Sequence, residues 1–209
     1  MNNKIIIFVI ILAALAAGIG IGFFIGKNVK NRTGIEQNQQ TQNLKPGDNN
    51  PTGAKPSNLI TKDGFSIKIP DGWKEAPAMS GVAAMIVNQN ENPENPALKR
   101  INFKSYFSVT YDKLGTKTKE EYINYIKDEV VKNAPGFKFT SEKNEIINGQ
   151  DGYALEGQVS QQGADFKIAM TFIKGKSDDM WMVSFSTGKD MWPQYVQLVD
   201  ETIRSFTVN

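Results

Sequence analysis

Between residues 58 and 209 apolar side chains recur at every second position, and the runs are punctuated by residue pairs ending in glycine. Phe65, Ile67 and Ile69 alternate with Ser66 and Lys68 before Pro70-Asp71-Gly72 ends the run. Ile101, Phe103, Phe107, Val109 and Tyr111 fall on one parity of the next segment; Tyr153, Leu155 and Val159 come after it, then Phe166, Ile168, Met170 and Phe172. A period of two marks half-buried strands. Asn148-Gly149, Asp151-Gly152, Gln162-Gly163 and Lys174-Gly175 read as hairpin turns, which imply antiparallel pairing. Met180–Phe185 is apolar on both parities and should lie centrally, covered on both faces.

Two helical segments interrupt this pattern. Thr118 with Glu121 three residues on forms a capping box, Tyr122, Ile123, Ile126 and Val130 make an apolar stripe, and Asn133-Ala134-Pro135-Gly136 stops the helix. The second starts near Trp192-Pro193, with Trp192, Val196, Val199, Ile203 and Phe206 on one face. The expected order is strand, strand, helix, four strands, helix. That is an α+β domain with a twisted, mainly antiparallel sheet packed by two main helices.

Four stretches of this segment resemble PsbP-like domains. They are GFSIKIPDGWKE from Gly64, NGQDGYALEGQV from Asn148, FKIAMTFIKGKSDDMWMVSFST from Phe166 and ETIRSFTV from Glu201. The resemblance runs from Leu59 to Val208. It points to a superfamily taking in photosystem II extrinsic PsbP, Ran-binding Mog-type proteins and envelope proteins of the DcrB and LpqN kind. It implies an α/β/α sandwich used as a binding or assembly module without enzymatic activity. Metal sites proposed for plant PsbP use histidine. This chain has no His, so none is carried over.

The N-terminal quarter reads differently. Residues 1–4 form a short tail, and Ile5–Gly26 is an uncharged apolar run. At ~1.5 Å per residue it spans roughly 33 Å, the length of a transmembrane helix. Ala14-Leu15-Ala16 offers a signal-peptidase-like site, but cleavage there leaves an apolar stub, so an uncleaved anchor is expected. With no Cys the chain cannot be a lipoprotein. Gly18, Gly22 and Gly26 repeat every four residues, the spacing through which membrane helices pair, so a homodimer through this face is one expectation. Residues 27–57 are rich in Asn, Gln, Gly, Pro, Thr and Lys and read as a disordered linker.

Lys27, Lys30 and Arg32 lie just after the run, against Lys4 before it. Taken alone, that bias puts the domain in the cytoplasm. The very short tail instead suits a signal-anchor that exports the rest of the chain. The expectation is a single-pass cell-membrane protein with an extracytoplasmic domain. A cytoplasm-facing module that binds a soluble regulatory protein is one alternative.

Charge and composition narrow the function. Residues 1–57 hold six basic and two acidic groups; the remainder holds 18 and 20, a net of −2. The basic excess lies beside the membrane run, so nucleic-acid binding is not expected. Without His or Cys there is no Ser-His-Asp triad, thiolate nucleophile or Cys/His metal site. Gly175-Lys176-Ser177 mimics a P-loop end, but the first glycine of that motif would fall at Met170. Asp178-Asp179 could ligate a hard cation, but a solvated turn is the simpler reading. Glu120, Glu121, Asp128 and Glu129 interleave with lysines as a solvated helix face. Trp73, Trp181 and Trp192 read as core before they read as a ligand platform. The polar stretch Asn88–Asn95 is a candidate recognition loop, with Asn88, Glu91 and Glu94 as its contacts. The expected function is a non-catalytic binding, scaffolding or assembly module of the envelope, with another protein as partner and no cofactor. A hydrolase or carbohydrate-binding domain acting on envelope polymers is the other alternative.

Overall fold

The computed structural model describes residues 58–209, so the membrane run, the linker and Gly18, Gly22 and Gly26 lie outside the described residues. Ten strands and three α-helices occur in the order β1 (Leu59–Lys62), β2 (Phe65–Lys68), β3 (Lys74–Ala76), β4 (Val82–Val87), α1 (Pro96–Arg100), β5 (Tyr106–Lys113), α2 (Lys119–Asn133), β6 (Lys138–Ile147), β7 (Gln150–Gln161), β8 (Ala164–Lys174), β9 (Asp179–Gly188), α3 (Trp192–Arg204) and β10 (Thr207–Val208). Seven strands form one sheet in the order β3-β4-β5-β9-β8-β7-β6, and β1-β2-β10 form a separate ribbon. Every pairing is antiparallel.

Strand β9 takes the middle place of the seven, as its apolar character on both parities requires. Met180 and Met182 join one core; Trp181, Val183 and Phe185 join the other. The first core is closed by α2 through Tyr122, Ile123, Ile126 and Val130. The second is closed by α3 through Tyr195, Val199 and Ile203, and by the ribbon through Ile60, Phe65 and Ile67. The large sheet therefore carries a helix on each face. Full burial of each large apolar side chain contributes roughly 1.5–3 kcal/mol, and the two cores set the domain's stability. Two pairs of buried hydroxyls in the sheet bond each other: Ser108 with Ser184 at 2.8 Å and Ser105 with Thr187 at 2.7 Å.

Local signals are realised closely. The Thr118 hydroxyl accepts from the Glu121 amide, and the Glu121 carboxylate accepts from the Thr118 amide. Asn148 and Gly149 have φ of 48° and 79°, and Gln162 and Gly163 have 52° and 80°. Both pairs have the positive φ that type I′ hairpins need.

Several expectations are corrected. There are more strands than expected: β1, β3, β4 and β10 were not anticipated, nor was α1. Asp151-Gly152 is no turn; it lies inside β7 paired with Ile146 and Glu145. Ile101 and Phe103 do not share a face with Phe107 and Val109. The chain leaves α1 through a turn before β5 begins, and this resets the parity, so Phe103 and Tyr106 face the α2 side while Phe107 and Val109 face the α3 side. On α3, Val196 is 50% exposed and Tyr195 is buried in its place. Phe206 is buried, but beyond the helix end, where the chain turns into β10 and pairs with β2.

Candidate binding cleft

Tyr111 on β5 and Trp181 on β9 are register partners, and Lys113 is opposite Asp179. The period of two puts Tyr111, Asp179 and Trp181 on the α3 face near one end of the strands. There the β1–β2 turn (Asp63, Gly64) and the chain entering β4 (Gly81, Val82, Ala83) come over the sheet and leave a cleft of about 520 Å³, lined by these eight residues. Lys62 ties its walls together: Nζ is 2.8 Å from the Glu75 carboxylate and 3.0 Å from the Ala83 carbonyl oxygen, to which it donates.

Glycine is required at position 64 for two reasons. Its φ is 88°, and a Cβ there would sit 2.8 Å from Cζ2 of Trp181. The ribbon can lie on the indole only because that atom is missing. At the other end of the ring, Nε1 lies 3.2 Å from where a Cβ on Gly175 would be, beside the Cβ of Asp179. Trp181 is 4% exposed, and its Nε1–H has no hydrogen-bond acceptor among the described residues. Its ring packs against Tyr111 at 4.7 Å, Phe65 at 5.1 Å and Phe206 at 5.9 Å between centroids.

Tyr111, Asp179 and the neighbouring Lys113 are held in their ordinary charge states. The Tyr111 hydroxyl donates to Asp179 Oδ1 at 2.7 Å, and Lys113 Nζ donates to the same oxygen at 2.9 Å and to Asp178 at 2.7 Å. The Tyr111 hydroxyl and the Lys113 ammonium hold the Asp179 carboxyl below the usual carboxylate range. The hydrogen bond to Asp179 pushes the Tyr111 hydroxyl up, and those to Asp178 and Asp179 push the Lys113 ammonium up. A general acid or base at neutral pH needs shifts in the opposite sense. Asp63 is exposed and enters no ion pair among the described residues.

The residues expected to form a recognition loop sit elsewhere. They lie between β4 and α1, at the opposite end of the β4–β5–β9 strands from the cleft. Glu91 points inward and is 7% exposed. Its Oε2 accepts from the Ser105 amide, its Oε1 accepts a short hydrogen bond from the Tyr195 hydroxyl, and Lys104 Nζ donates to its backbone oxygen. Asn88 Nδ2 donates to Tyr195 Oη at 3.1 Å. Burial and the Glu91 carboxylate push the Tyr195 hydroxyl up to about 12. Asn95 caps α1, and Glu94 faces solvent. The structure does not bring Asn88, Glu91 and Glu94 to one surface.

Trp73 is buried against Phe107, Phe185 and Tyr195, so it is a core residue. Trp192 is half-buried, with Lys167 Nζ 5.2 Å from its ring centroid. The acidic residues of α2 work as a solvated face in which Lys132 pairs with Glu129 at 3.0 Å. No group of three or more Asp or Glu side chains converges as a metal site among the described residues. None of the described helices is long and apolar enough to cross a membrane. Tyr111, Asp63 and Gly81–Ala83 carry no sequence signal for a site. Gly64 and Trp181 do fall within the stretches that resemble PsbP-like domains.

A seven-stranded antiparallel sheet with a helix on each face, closed by a three-stranded ribbon that leaves an aromatic cleft at one end, defines an α+β sandwich of the PsbP-like class. The chain belongs to the PsbP family, whose model matches residues 60–208. Three solved structures show the same fold. LpqN, involved in cell envelope biogenesis of Mycobacterium tuberculosis, is 17% identical with a TM-score of 0.56, over 75% of this chain and 87% of that one. Cyanobacterial PsbP (CyanoP) from Synechocystis is 19% identical with a TM-score of 0.54, over 78% and 98%. The Ran-binding protein Mog1p of Saccharomyces cerevisiae is 15% identical with a TM-score of 0.50, over 73% and 96%. No curated protein matches the chain in sequence.

Proposed function

We propose that this chain is a membrane-anchored, non-catalytic binding or assembly module of the cell envelope. Residues 5–26 are its anchor in the bilayer, 27–57 its tether, and the cleft at Tyr111, Asp179 and Trp181 its recognition surface for another protein. The observation that carries the reading is the state of the cleft. It is large enough to take side chains of a partner, yet Tyr111 and Asp179 in its wall are tied to each other and to Lys113 beside it in their resting charge states. That arrangement recognises; it does not transfer protons. Envelope biogenesis for LpqN and Ran binding for Mog1p agree with a binding or assembly role.

The domain stands outside the cytoplasm, and Gly18, Gly22 and Gly26 form the face through which two anchors pair. Glu94 is the solvent-facing contact of a second surface at the far end of the sheet.

In-cell photo-crosslinking tests the reading. A benzoylphenylalanine is placed at Ala83, half-buried on the cleft wall, or, as control, at Val131 on the exposed side of α2. A discrete adduct from position 83 and none from 131 is expected. Equal yields from the two positions would remove the cleft as the recognition surface.

A further inference from the structure

Resting on that reading, the chemistry of the cleft narrows what enters it, and we infer that its occupant is a lysine or arginine side chain on an extended segment of the partner protein. Three features converge on this. Asp63 stands at the rim as a carboxylate with no ion-pair partner among the described residues, so a cation entering from solvent has a counter-ion. Tyr111 is half-buried in the wall, and its ring supplies a face for a cation or a guanidinium plane. Trp181 lines the cleft, and its Nε1–H is a buried donor without an acceptor among the described residues; it lies on the Gly175 side of the ring beside Asp179, so a ligand acceptor reaches it when the Asp179 side chain shifts.

A cationic side chain has donors and no acceptor, so the acceptor for Trp181 has to come from elsewhere in the ligand. In a peptide, a backbone carbonyl next to the basic residue provides it. Apart from Asp179, the rest of the wall is Gly64, Gly81, Val82 and Ala83, small residues that let a peptide backbone come close. A sugar fits less well. Asp179 already accepts from Tyr111 and Lys113, so it offers little to the hydroxyls of a sugar.

The test uses the full-length chain in detergent micelles with 15N-labelled tryptophan, which gives three indole resonances. Trp181 is assigned from the signal lost in Trp181→Phe. Three probes are titrated: acetyl-Gly-Arg-Gly-amide, its Gln counterpart, and N,N′-diacetylchitobiose. The expected result is a saturable shift of the Trp181 indole with the Arg peptide alone. It weakens with added salt, and by about fivefold in Asp63→Asn, the size of one exposed ion pair. Asp63 is exposed and unpaired, so Asp63→Asn leaves the fold intact and its spectrum otherwise unchanged.

Equal shifts with the Gln peptide or the sugar would overturn the inference. So would an unmoved Trp181 signal with the Arg peptide, or undiminished binding by Asp63→Asn. If cross-linking from position 83 persists while the Arg peptide fails, the cation is wrong and the binding cleft stands. If both fail, the cleft is not the recognition surface.

Discussion

Removing the Glu91 carboxylate should destabilise the domain by about 3 kcal/mol. The carboxylate accepts from the Ser105 amide and the Tyr195 hydroxyl, and so joins the β4–α1 loop, the start of β5 and α3. Glu91→Ala leaves both donors without that acceptor in a region where Glu91 is 7% exposed. Each buried group left unsatisfied costs about 1–3 kcal/mol, and water entering from the loop side recovers part of it, which places the total near ~3 kcal/mol. For a domain of about 150 residues this corresponds to a Tm lower by roughly 6–12 °C. Tyr195→Phe removes the hydrogen bond to Glu91 and the one from Asn88 and leaves the ring against Trp73 and Phe185, so its cost should be about 1–3 kcal/mol. Thermal unfolding followed by near-ultraviolet circular dichroism measures both. Combining the two changes should cost less than the sum of the singles, because they share one hydrogen bond. A loss of under 2 °C for Glu91→Ala, or strict additivity of the pair, would refute the view that Glu91 is a structural tie between loop and core.

Other expectations rest on single contacts. Asn148 Nδ2 donates to the carbonyls of Arg204 and Phe206, so the β6–β7 turn clamps the end of α3; Asn148→Asp removes the donors, puts a negative charge at a helix C-terminus, and should cost about 1–3 kcal/mol in denaturant melts. A Cβ at position 157 would overlap the Phe137 ring, and Gly157→Ala should cost about 1–3 kcal/mol by overpacking in the same assay. Asp179 has a lowered folded pKa, so its contribution is present above the ordinary aspartate value near ~3.9 and is lost as pH falls through the lower folded value. Asp179→Asn should therefore flatten the acid limb of a stability–pH curve below about pH 4 and leave its shape above that unchanged.

What could be read from the sequence was what nearby residues decide. The capping box at Thr118 and Glu121 needs only three residues, and α2 starts and stops as expected. Asn148-Gly149 and Gln162-Gly163 are turns because both central positions need positive φ. Asp151-Gly152 carries the same kind of signal, but two residues past a turn already made it becomes the start of β7.

Val82–Val87 could not be placed by periodicity: VAAMIV has no alternation, and its strand character comes from burial between β3 and β5. The helical steps favoured Val196, but Tyr195 is drawn inward by Glu91, 104 residues away in the chain. Strand β10 has two residues and exists only through its pairing with β2. The cleft is the extreme case: its eight residues come from four separate segments, and only the register of β5 with β9 and the fold of the ribbon bring them together.

The proposed function holds the binding domain at the membrane with its cleft on the outer side. The chain has no Cys, so Ser177→Cys gives it a unique thiol. Position 177 is exposed in the β8–β9 turn and lies two residues from Asp179 at the cleft. A membrane-impermeant maleimide is applied to intact cells, with lysed cells as the reactivity control. Labelling in intact cells is the predicted result. Labelling only after lysis would contradict it, place the cleft in the cytoplasm, and turn the search for its partner to soluble regulatory proteins.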